Sequence, residues 1–160
     1  MRHTFRASIV LALLAGGCVF PRASASRDDP VLGTWELDLS RSTFQPGPPV
    51  LNQTRTFTQT SRGVRFVLEG RSASGAPMRT EFTAPYDGKD YPLTGSPSVN
   101  SVSLTRVTRL RTDATERKDG RVVFTVRREI SEDGTTMTVT VNGTNAQGQQ
   151  VANVLVFRRR

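Results

Sequence analysis

Val31-Leu32-Gly33-Thr34-Trp35-Glu36-Leu37-Asp38-Leu39 alternates apolar and polar residues. Successive side chains of a strand point to opposite faces, so Gly33, Trp35, Leu37 and Leu39 share one face and Thr34, Glu36 and Asp38 the other. The stretch is expected to be a half-buried strand that ends near Ser40. Trp35 is the only tryptophan in the chain. A large indole near the start of a strand can plug one end of a barrel, and Gly33 lets another backbone come close to it. A core Trp in a β-sandwich fits the same stretch, so the rest of the chain has to decide.

Downstream the alternation recurs. Asn52 to Thr60 is Thr-rich, with strong strand propensity and weak hydrophobicity. Val64, Phe66 and Leu68 share a face, as do Met78, Thr80, Phe82 and Ala84. A short strand is expected around Tyr91, then one from Asn100 to Leu110 with Val102, Leu104 and Leu110 on one face, then a polar one from about Thr112 to Lys118. Val122, Phe124, Val126 and Ile130 mark the next, Met137, Val139 and Val141 another, and Val151 to about Arg158 the last. Asp87-Gly88, Asp119-Gly120 and Asp133-Gly134 have the chemistry of tight turns. Between Arg41 and Val50, Pro46, Pro48 and Pro49 exclude a helix and a sheet interior, so this is a rigid extended connector with no room for a helical lid. About eight to ten short strands joined by short turns predict an all-β fold: an antiparallel up-and-down β-barrel, whose closure removes exposed edges.

The N-terminus reads as a targeting segment. Arg2, His3 and Arg6 precede an apolar run from Ala7 to Gly17 that is too short to span a bilayer, and Ala23-Ser24-Ala25 is a small-x-small cleavage site. Residues 1–25 are expected to leave as a signal peptide, with residues 26–160 forming a single domain in the periplasm or outside the cell. A competing cut exists at Ala15-Gly16-Gly17-Cys18, which resembles a lipobox and would anchor the chain by a lipid on Cys18. The ordinary cut leaves neither Cys nor His, which excludes thiolate catalysis, His-based triads and their metal sites. No cofactor or metal is expected. The formal charge is +8, and losing Arg2, Arg6 and Arg22 leaves +5. The basic residues are scattered without interleaved aromatics, so nucleic acid is not an expected partner. A monomer is expected.

Gly-x-Trp on a first strand, an all-β meander and a last strand ending in Arg resemble the calycin superfamily of lipocalins and fatty-acid-binding proteins. Residues 33–44, 86–95 and 143–148 are similar to a group of small secreted bacterial lipocalin-like proteins, a resemblance that implies fold and export but no activity. The calycin resemblance also implies a basic residue from a late strand packed on the Trp, here Arg158 over Trp35. Fatty-acid-binding proteins carry Arg-x-Tyr on the last strand; this chain has Leu155-Val156-Phe157 in the comparable place.

Two arginines interrupt apolar faces: Arg106 in register with Val102, Leu104 and Leu110, and Arg128 in register with Phe124, Val126 and Ile130. Pointing inward, they could hold a ligand carboxylate bidentately, with Phe66, Phe82, Phe124 and Met137 as walls. The other reading has them reach water at strand ends or pair with Glu81, Glu116 or Glu129. Glu81, Glu116 and Asp90 could converge, and Tyr86 and Tyr91 could edge a barrel mouth. The sequence locates no catalytic constellation. It points to an exported protein that binds a small, largely apolar ligand, acidic if the arginines face in. The alternative is a filled barrel serving as a structural or protein-interaction module of the cell envelope.

Overall fold

The computed structural model describes residues 29–160. The expected signal peptide, the cut after Ala25 and Cys18 lie outside the described residues. Alternating residues build ten strands: β1 (Gly33–Thr43), β2 (Asn52–Thr60), β3 (Gly63–Arg71), β4 (Pro77–Ala84), β5 (Tyr91–Thr94), β6 (Ser101–Arg106), β7 (Arg111–Lys118), β8 (Arg121–Ile130), β9 (Thr136–Thr144) and β10 (Gln150–Arg159). Each pairs antiparallel with the next, and β1 pairs with β10. The result is a closed ten-stranded up-and-down barrel, consistent with a calycin-like fold, with no helix among the described residues.

β1 runs past Ser40 to Thr43, and its register against β10 shifts between Asp38 and Thr43. That irregularity turns Leu39 out of the interior. It is 41% exposed, although it has the parity of Trp35 and Leu37. The proline segment after β1 forms no helix, but it is not the extended connector expected: the chain bends at residues 45–47, and the Gln45–Pro46 and Gly47–Pro48 peptide bonds are cis. It is fixed to β10 by the Ala152 N–H on Gln45 O and by the Gln45 N–H on Asn153 Oδ1, both at 2.8 Å.

The two ends of the barrel differ. At one, residues 29–32 fold across the opening beneath Trp35, which is fully buried and donates from Nε1 to Val31 O at 2.8 Å. Phe57, Val64, Leu104, Met137 and Phe157 fill the interior above it, all nearly inaccessible. The cation stacked on Trp35 is Arg159, 4.2 Å from the ring centroid, and not Arg158. Strand parity gives the reason: Leu155 and Phe157 are core residues, so the next side chain on that face is residue 159. Arg158 is exposed and lies 3.5 Å from Asp38 outside the barrel. Arg159 also donates to the carbonyls of Pro30, Leu32 and Gly134, each at 2.6 Å. Gly33 makes room for it. A Cβ there would sit 2.8 Å from Arg159 Nη1, and φ of +123° disfavours any other residue.

Arg106 belongs to the same closed end. It forms an ion pair with Asp29 and lies 4.0 Å over the Tyr86 ring. The Tyr86 hydroxyl donates to Asp29 Oδ2 at 2.7 Å, and the Val31 N–H to Oδ1 at 3.1 Å. Asp29 is therefore a buried anchor. Its three partners satisfy a carboxylate that would be costly to bury alone.

Candidate functional site

The other end is open. A cavity of about 390 Å³ occupies that half of the barrel, within the size range of small-molecule sites. Phe66, Leu68, Phe82, Phe124, Val126 and Leu155 are among its apolar walls. Phe66 stacks on Phe82 at 4.8 Å and tilts against Phe57 at 5.0 Å. Phe44, Pro46, Pro48 and Val50 of the proline segment form part of the rim. A segment too stiff for a helix thus lines the entrance.

The floor is charged. Arg128 faces the cavity from β8, and Arg55 faces it from β2. Each guanidinium lies on a buried ring of the plug: Arg55 is 4.6 Å from the Phe157 centroid, and Arg128 is 4.7 Å from that of Phe57. Aromatic faces are electron-rich and partly offset the burial of a cation. Arg55 Nε also donates to Gln53 Oε1 at 3.0 Å. Arg128 Nε is buried without a hydrogen-bond partner. Glu116 of β7 also lines the cavity, but among the described residues no ion pair joins it to either arginine.

Burial pushes the Arg55 guanidinium down to about 9; nearby Arg128 adds to the fall and Glu116 opposes it. Burial lowers Arg128 as well, with Tyr86, Glu116 and Asp29 holding it up. Glu116 moves the other way: burial raises it, against the pull of both arginines. The cavity thus has two cations and one carboxylate, an excess of positive charge next to an apolar wall. That excess fits an anion with a hydrophobic body.

Of the residues singled out from the sequence, the structure gathers Arg128, Phe66, Phe82 and Phe124 around the cavity. Arg106 and Met137 are not there. Arg106 is held by Asp29 at the closed end, and Met137 is in the solid plug. Glu81 and Asp90 do not join Glu116. Glu81 lies outside the barrel, 2.9 Å from Arg65 and 3.1 Å from Arg79, while Asp90 is 2.6 Å from Arg117. Tyr86 edges no mouth, because the β4–β5 loop falls at the closed end. Arg55 is not among the residues that the sequence singled out: β2 carries a single apolar residue, Phe57, and its parity is the one mark of Gln53 and Arg55 as the inward set.

No protein-family model matches the sequence, and no curated protein matches it. Among solved structures, the chain is similar to the zebrafish ileal bile acid-binding protein complexed with cholic acid. The TM-score is 0.48 and the identity 14%, over 82% of this chain and 99% of that one.

Proposed function

We propose that the chain is an exported binding protein for a small, largely apolar ligand bearing one acidic group, taken up in the open half of the barrel. The carrying observation is Arg128: a buried guanidinium with an unpartnered Nε, on the floor of an aromatic-walled cavity that also holds Arg55. The ligand's anion would meet Arg128 and Arg55, and its body would lie against Phe66, Phe82 and Phe124. Such an anion would supply the charge that Glu116 alone does not. The empty volume argues against the filled-barrel alternative. The chain's own groups would bind and orient a ligand, and no bond-making step is assigned to them.

Export, with cleavage after Ala25, belongs to the same proposal. Native mass spectrometry of the full-length product, expressed in a secreting bacterial host and purified without delipidation, tests both parts. The expected result is the mass of residues 26–160 plus a reproducible small adduct that disappears in Arg128→Met and Arg55→Met. An uncleaved chain would overturn the export reading, and a chain acylated at Cys18 would overturn the cut after Ala25. An adduct-free chain that also fails to bind an apolar anionic dye would overturn the ligand reading.

A further inference from the structure

The rim of the open end is chemically unlike the rest of the surface. Its five connecting segments, residues 44–51, 72–76, 95–100, 119–120 and 145–149, contain one charged residue, Asp119, which Asn100 binds through both its side-chain amide and its carbonyl oxygen. The charged residues at the strand ends there, Arg71, Lys118 and Arg121, are all basic and all exposed. The closed end is different. Its loops mix Arg62, Lys89 and Arg109 with Asp87, Asp90, Glu132 and Asp133.

Two apolar side chains stand out beside those cations. Leu51 is 52% exposed and Val122 is 57% exposed. The Leu51 N–H donates to Arg71 O at 3.0 Å, which places the leucine next to that arginine. Across the β7–β8 turn, Lys118 stands directly opposite Arg121 and Arg117 opposite Val122. Like charges facing each other on paired strands destabilise a hairpin, so folding alone does not account for this pair. The ring order of the strands puts the β2–β3 and β7–β8 positions on opposite sides of the barrel. One leucine–arginine tip and one valine–lysine–arginine tip therefore straddle the mouth.

Apolar side chains flanked by cations are the chemistry that recognises an anionic lipid surface: the apolar groups enter the acyl boundary and the cations meet the headgroups. We propose that the open end of the barrel docks on such a surface through Leu51 and Val122, with Arg71, Lys118 and Arg121 on the headgroups. The mouth then faces the lipid, and the cavity fills and empties against it. That last clause rests on the ligand reading; the docking does not.

The test uses the full chain with a tryptophan reporter, Leu51→Trp or Val122→Trp at the mouth and Val107→Trp at the closed end, and vesicles with brominated acyl chains. Trp35 is buried and supplies a constant background. With phosphatidylglycerol vesicles free of fatty acid, both mouth reporters should be quenched and the closed-end reporter should not. With phosphatidylcholine none should be. Lys118→Gln with Arg121→Gln should weaken vesicle partition by roughly 30-fold, from about a factor of five per basic residue at the surface. The same double variant should not unfold earlier, because it removes a repulsive pair. Absence of quenching at the mouth, equal quenching at residue 107, or equal quenching in phosphatidylcholine would each overturn the docking. The vesicles carry no ligand, so a chain that docks here and yields no adduct in the mass spectrum contradicts only the ligand reading.

Discussion

Arg128 and Arg55 are buried charges on the cavity floor. Each gives up hydration for an aromatic face, and Glu116 answers both at once. Replacing a buried, incompletely satisfied charge by an apolar residue of similar volume is often neutral or stabilising, which makes Arg128→Met a usable variant. Glu116 opposes an incoming anion as well as offsetting the arginines. Glu116→Gln should therefore strengthen binding of an apolar carboxylate, by about tenfold if the removed repulsion is near 1.4 kcal/mol. The pH dependence follows from Arg55. Its folded-state value lies below that of the unfolded chain, so above about pH 9 the native state binds fewer protons than the unfolded one. Apo stability should rise with pH there as the buried charge is relieved. Carboxylate affinity should hold from neutrality to about pH 9 and then fall. Titrations of the wild type and Glu116→Gln across that range check both statements. An unchanged affinity in Glu116→Gln would remove the carboxylate from the account.

At the scale of elements, β10 closes the barrel and latches its end. Its outward neighbours, Arg158 and Arg160, lie 3.5 Å and 3.8 Å from Asp38 and Glu36. Exposed pairs of that kind contribute little. Arg159 holds three carbonyls and the Trp35 face, so Arg159→Ala should destabilise the fold by about 2 kcal/mol, and Arg158→Ala by less than about 0.5 kcal/mol. Denaturant unfolding of the two variants reads the difference; equal losses would contradict the latch. The family resemblance pointed to Arg158 for this place, whereas the parity fixed by Leu155 and Phe157 selects 159. The strands, their order and the Trp plug were legible because period-two patterning survives wherever one face is apolar. β2 broke that rule. Its inward face carries Gln53 and Arg55, and a strand lining a charged floor loses the contrast that would reveal it. Asp29 was hidden differently. Its burial depends on Tyr86 and Arg106, far away in sequence, and no local pattern announces it.

Taken whole, the barrel is polarised. One end is solid, held by Trp35, Arg159 and the Asp29–Arg106–Tyr86 cluster; the other opens through a proline-rich rim onto a cavity with a cationic floor. The plug gives the arginines a rigid base, and the ring of antiparallel pairs keeps the aromatic walls in place. The central claim is that this half of the barrel recognises an acid with an apolar body. It is tested most directly by calorimetric titration of decanoate and of decanol into the wild type and into Arg128→Met. A ligand of that size should bind with a Kd on the order of micromolar. The account predicts that the wild type binds decanoate at least tenfold more tightly than decanol, and that Arg128→Met folds normally and loses that preference. Equal affinity for acid and alcohol in the wild type, or an undiminished preference in a folded Arg128→Met, would contradict it.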